Sequence, residues 1–177
     1  MALLTTLQSL FSTLAAPIHF LSFSTLLGSQ LYQTFIVTKV AFSTLPTAAY
    51  HNFQKRIFPV YFHGQSLLLL LTAVTLPPHG PLSMVTQKGV WIPFAVSAVA
   101  AILNFFVYGP RTRKLMLDRA ERGRADATTT GLKGPSPEMA VLKRQFSRSH
   151  AMCIHLNLVS IGALVFYGWR LGSRVQY

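Results

Sequence analysis

Polar side chains that recur at helical spacing inside apolar runs are the residues of this chain that could do chemistry. In IFPVYFHGQSLLLLLTAVTL, residues 57–76, His63 and Gln65 stand a few residues inside a lipid-grade run. An unpaired polar group in hydrocarbon is costly, so such residues face a bundle interior and find partners there. Four stripes of this kind can be traced: His19, Ser22, Ser29, Gln30 and Gln33; His63 and Ser66; Ser97, Asn104 and Tyr108; and His150, Cys153, Asn157 and Ser160. At about 1.5 Å of rise per residue, His63 lies about 9 Å, Asn104 about 7 Å and Asn157 about 12 Å from one end of their helices. Gln30 and Gln33 reach the same level. The spacing therefore predicts a polar cluster of Gln30, Gln33, His63, Asn104 and Asn157, with His150 at its mouth. His19 starts near the opposite face, roughly 15 Å or more from His63 in depth.

Three chemistries suit such a cluster. It can be interhelical hydrogen bonding that fixes helix register. It can be a ligand or ion site. It can also hold haem or copper, since histidines on neighbouring helices of a bundle are common ligands for both; His19, His63 and His150 are the candidates. The depth gap argues against His19 and His63 clamping one metal, and the favoured expectation is a structural seam with no cofactor. Catalysis finds no support. All four acids, Asp118, Glu121, Asp126 and Glu138, lie outside the apolar runs. No Ser-His-acid set, HExxH helix or phosphate-cradling glycine loop is present. A non-enzymatic protein is expected.

The elements that must position these residues follow from composition. Apolar residues make up 51% of the 177 residues and charged residues 11%, against about a quarter charged in soluble domains. The one cysteine, Cys153, excludes an internal disulfide. Crossing hydrocarbon of roughly 30 Å takes about 20 apolar residues as helix, and the stretches of about 16–38, 57–76, 89–109 and 149–169 qualify. Pro17, Leu45-Pro46, the run Pro77-Pro78-His79-Gly80-Pro81, Gly109-Pro110 and Trp169-Arg170 bound them. The expected fold is all-α: a polytopic membrane protein with an antiparallel four-helix transmembrane bundle over 16–177. Residues 1–15 precede it as an interfacial segment, with Leu3, Leu7, Leu10 and Leu14 on one helical face.

The net charge of +12 raises a nucleic-acid reading, but ten of the sixteen Lys and Arg lie between Arg111 and Arg148, together with all four acids. The charge belongs to one loop. Adding Lys39, Lys55 and Arg56 puts thirteen basic residues on one side of the bundle, against Lys88, Arg170 and Arg174 on the other. This asymmetry predicts a cytosolic basic loop over 110–148 and lumenal or extracellular termini. Within the loop the third helix is expected to continue into water as far as Gly123. RADATTTGLKGPSP reads as a hinge. Ser136, Pro137 and Glu138 form a helix start, which makes helical extensions of helices 3 and 4. Arg111, Arg113, Lys114, Lys143 and Arg144 are the candidate contacts for protein partners in a larger membrane complex, for anionic lipid or for an RNA-bearing partner.

Three segments, HFLSFSTLLGSQLYQTFIV (19–37), LPTAAYHNFQKRIFPVYFH (45–63) and LKRQFSRSHAMCIHLNL (142–158), resemble the transmembrane protein 205 family of small eukaryotic four-span membrane proteins. His19, Gly28, Gln30, Pro59, Tyr61, His63, Asn104, Phe146, His150 and Asn157 sit at positions matching its motifs. The resemblance covers most of the chain apart from the hinge at 123–136. It implies an integral protein of the endomembrane system, with the endoplasmic reticulum favoured, or of the plasma membrane, and no established reaction. A His early in a span followed by Gly and an aromatic is also similar to bacterial copper-resistance and haem-synthesis bundles.

Overall fold

A computed structural model describes residues 2–78, 80–86, 89–129 and 136–173, and among these the protein is helical without a strand. Helix α1 runs over Ala2–Tyr32, a π-helical segment π1 over Gln33–Val37, and α2 over Thr38–Thr44. The three are continuous and form the first rod. Pro46 and the extended backbone of Leu45 end it, because a residue before proline is pushed out of the helical region. Helix α3 (Thr47–Val74) is the second rod. A short α4 (Pro81–Thr86) follows the turn that holds the cis Pro77–Pro78 bond. The third rod is α5 (Trp91–Leu103), π2 (Asn104–Tyr108) and α6 (Gly109–Thr129), and the fourth is α7 (Pro137–Gly172). Both Pro17 and Pro59 lie inside helices. Each removes one backbone donor, a loss that packed neighbours make tolerable in membrane helices.

The rods pack in a ring. α1 lies against α3 and α7, and α5 lies against α7 and α3. Three helices, Thr47–Val74, Trp91–Thr128 and Pro137–Gly172, are long and apolar enough to cross a membrane. The first rod carries the densest polar stripe of the four. Large apolar side chains such as Leu21, Val60, Leu67, Phe106 and Trp169 point outward. An outward-facing apolar surface on that scale is a lipid-facing one. The dry core lies toward the end where α3 stops and α5 starts. There Phe23, Leu26, Leu69, Leu76, Phe94 and Leu164 interlock, with Leu26 and Leu164 fully buried.

At the opposite end, here the loop-side end, α6 and α7 extend beyond the bundle side by side. The 36 residues of α7 make a helix of about 54 Å, well beyond the roughly 30 Å that hydrocarbon requires. The Ser136 cap forms as expected: its Oγ accepts from the Met139 backbone N–H at 3.3 Å, with Pro137 opening the helix. Met139 is buried, while Lys143, Arg144 and Arg148 are exposed. The hinge differs from expectation, because α6 continues through Gly123 to Thr129. A glycine costs a helix only about 1 kcal/mol. The Met139 side chain packs 3.6 Å from where a Gly123 Cβ would stand. The rest of the hinge, 130–135, lies outside the described residues, as do His79, Lys88, Arg174 and the side chains of Leu3, Leu7 and Leu10. Residues 2–15 and the span that follows share one helix, α1.

Candidate functional site

Three of the four polar stripes face inward as the spacing predicts. They form a ladder of cross-helix bonds from the core to the loop-side end. At the deepest rung His19, 1% exposed, has Nδ1 2.8 Å from the Thr72 carbonyl and Nε2 2.6 Å from the Tyr167 hydroxyl. A carbonyl only accepts, so Nδ1 carries the proton and Nε2 accepts from the phenol. Thr72 Oγ1 also reaches Ser22 Oγ at 3.2 Å. One rung further, Gln30 Nε2 donates to Ser160 Oγ and Ser97 Oγ donates to the Ser160 carbonyl, each at 3.4 Å. Next, Asn104 Nδ2 donates to the Cys153 carbonyl at 3.2 Å. Asn157 accepts from the Tyr61 hydroxyl at 2.7 Å and donates to Thr34 Oγ1 at 2.6 Å. The last rung joins Thr112 Oγ1 to Ser149 Oγ at 2.7 Å.

The exception is α3. His63 is exposed, and its Nδ1 bonds to the Pro59 carbonyl of its own helix at 2.6 Å. Its ring stands edge-on to Phe105 with centroids 4.8 Å apart. It therefore does not join Asn104, Gln30 and Gln33 in one cluster. The inward face of α3 is instead Gln65, Leu69 and Thr72, all buried. Residues two apart on a helix point about 200° apart, so only one of His63 and Gln65 can face the core. The sequence held a second polar pair at helical spacing, Gln65 and Thr72, with no signal to prefer it.

Two of the rungs coincide with the π segments. The Thr38 backbone N–H bonds to the Gln33 carbonyl, and that of Gly109 to the Asn104 carbonyl, each five residues back. Such single-turn widenings gather at functional positions. At Gly109 a Cβ would stand 2.4 Å from the Asn104 carbonyl oxygen, so only glycine fits the second one.

Beyond the π segments the rods part and enclose a cleft of about 670 Å³ at the loop-side end. Gln33, His63, Phe105, His150, Cys153 and Asn157 line it, drawn from all four rods. The His150 ring stacks on Phe146 at 5.5 Å, and the Arg119 guanidinium lies over the Phe146 ring at 4.6 Å. Arg113 and Lys114 line the cleft, whereas Arg111, Lys143 and Arg144 are exposed outside it. As a metal centre the histidines are poorly placed. Both nitrogens of His19 are already bonded, and no three His, Cys, Asp or Glu side chains among the described residues group around a common point. Tyr61, Thr34, Thr72 and Tyr167 are the partners that the stripes alone missed.

Fold and seam together define an all-α integral membrane protein whose helices are tied along their length by interhelical polar bonds and part around a cleft at the loop-side end. The chain belongs to the family described as a domain of unknown function (DUF4149), which matches residues 21–121. It is 35% identical over 159 residues to the xanthocillin biosynthesis cluster protein D of Aspergillus fumigatus, with 89% of this chain and 88% of that protein covered. No solved structure matches the chain.

Proposed function

We propose that this protein is a non-enzymatic accessory subunit of the endomembrane system, most fittingly the endoplasmic reticulum, that holds a larger complex at the membrane. The observation that carries the reading is the bonded state of the seam. His19, Asn157 and Ser149 spend their polar groups on neighbouring helices rather than presenting them to a substrate. No cofactor is needed for such a seam. The four-span topology, with α1 as the remaining span, and cytosolic basic arms belong to the same proposal. So does kinship with the transmembrane protein 205 family, supported by the KRIFPVYFH block at 55–63. The similar fungal protein is named for a biosynthesis cluster, which favours partners among small-molecule biosynthetic enzymes. The arms present Arg111, Lys143 and Arg144 to solvent, a surface for an acidic protein face. Replacing these three with Gln should release the partner during gentle solubilisation, as high salt would, because exposed attraction is screened within about 10 Å at 0.1 M salt. Unchanged co-purification would overturn the docking role.

A second reading, a carrier for a small solute, is favoured by one feature: the bundle is sealed by packed core at one end and open at the other.

A further inference from the structure

The loop-side cleft has a chemistry of its own. Its walls are aromatic and aliphatic, with Phe58, Phe62, Phe105, Phe146, Met116 and Ile154 among them. A volume of about 670 Å³ falls in the range of small-ligand pockets, roughly 300–1,000 Å³. Three cations, Lys55, Arg113 and Lys114, line it against one carboxylate, Asp118. A second space of about 510 Å³ adjoins it, lined by Asn52, Phe53, Lys55, Arg56 and Arg113 and by no acid. The two spaces share Lys55 and Arg113. An apolar chamber therefore opens through two cations into a basic notch.

We propose that this pair of spaces binds an anionic amphiphile, with an aromatic or short-acyl body in the cleft and a carboxylate or phosphate head in the notch. The body replaces water on the aromatic walls, and burial of apolar surface drives it in. The head meets Lys55, Arg56 and Arg113, where charge-assisted hydrogen bonds are stronger than neutral ones. A cationic or neutral amphiphile gains the first term without the second. Tyr61, Asn157, Thr34 and Thr112 line the cleft with their cross-helix bonds already made, so the space is open without breaking a rung of the seam. The inference is independent of the accessory reading, whose test uses Arg111, Lys143 and Arg144, all outside the cleft.

The chain carries its own reporter. Cys153 is the sole cysteine, is half-buried, and lines the cleft. The experiment places the full-length protein in phosphatidylcholine nanodiscs and follows N-ethylmaleimide labelling of Cys153 by intact mass. Naphthalene-2-carboxylate should slow labelling saturably, and 2-naphthylmethanol should need about tenfold more for the same protection, the equivalent of one charge-assisted contact. The variant K55Q/R56Q/R113Q should label at the wild-type rate without probe and lose the preference for the carboxylate. Discs containing phosphatidylserine separate the two sources of the head group. Protection there without added probe assigns a membrane lipid, and protection only by the soluble acid assigns a free metabolite-like ligand. Equal protection by acid and alcohol, no protection by either acid or lipid, or a triple variant that keeps the preference would each overturn the proposal.

Discussion

Tyr167 of α7 donates its hydroxyl proton to Nε2 of His19 of α1 across 2.6 Å, with the two rings edge to face at 5.8 Å. Since His19 Nδ1 bonds to the Thr72 carbonyl of α3, this one imidazole joins three rods in the driest part of the bundle. Tyr167 also meets Phe23 and Phe94 edge-on, so its ring closes the core that its hydroxyl ties together.

The first prediction is a ranking of stabilities. Tyr167→Phe should cost about 0.6–1.7 kcal/mol, the range of measured hydrogen bonds between membrane helices. His19→Leu should cost more, about 2–3 kcal/mol, because it removes both cross-helix bonds of the buried imidazole at once, to the Thr72 carbonyl and to the Tyr167 hydroxyl. His63→Leu should change stability by less than about 0.5 kcal/mol, as a surface substitution outside the seam. Thermal unfolding in one detergent orders the three. A His63 variant less stable than the His19 variant would contradict the placement of α3.

How far the sequence could go is clear from these same residues. Helix period alone placed Gln30, Gln33, Ser97, Asn104 and Ser160 inward, and all five are buried. It failed on α3, where two polar pairs at helical spacing compete and the winner depends on which neighbours they meet. Gln65 faces inward although its Oε1 finds no partner, so its own bonding did not decide the rotation; the same face carries buried Leu69 and Thr72, and Thr72 bonds to Ser22 and His19. The π segments were illegible because a single extra residue per turn leaves no compositional mark. The cleft was illegible because it exists only where four rods diverge. The Ser136 cap, by contrast, is a purely local signal and was read correctly.

That unpartnered oxygen gives the second prediction. Gln65→Leu should be neutral or stabilising, since an apolar group of similar shape removes a buried acceptor that nothing satisfies. A loss beyond about 1 kcal/mol in thermal unfolding would mean that an ordered water bonds Gln65 in the seam.

The third concerns Gly109. A methyl there meets the Asn104 carbonyl at 2.4 Å and the Phe62 ring at 3.5 Å, so Gly109→Ala must shift backbone and should cost about 1–3 kcal/mol, the usual penalty of overpacking. Gly28 and Gly162 have open space around the same position. Alanine at either serves as the control and should leave the unfolding temperature unchanged or slightly raised, as alanine favours helix.

The last prediction is a pH response in the arms. Asp126 Oδ2 accepts from both the Ser136 hydroxyl at 2.9 Å and its backbone N–H at 3.3 Å. Arg122 pairs with Asp126 at 3.1 Å and with Glu138 at 3.0 Å. This staple fixes the end of α6 against the start of α7. The Ser136 hydroxyl bond, helped by the Arg122 charge, holds the Asp126 carboxyl below its ordinary range. A carboxyl with a depressed folded pKa stabilises the pairing above its unfolded value, about 3.9, and loses that contribution as pH falls through the folded value. The pairing should therefore be constant from neutral pH down to about 4 and loosen only below it. Spin labels at Ala127 and Ala140 would report the widening as a longer interhelical distance. Asp126→Asn should show a longer distance already at neutral pH and a smaller change on acidification, since only the Arg122–Glu138 pair is left to lose. A wild-type distance that is unchanged from pH 7 down to the protonated range would show that Met139 packing against α6, and not the staple, holds the arms together.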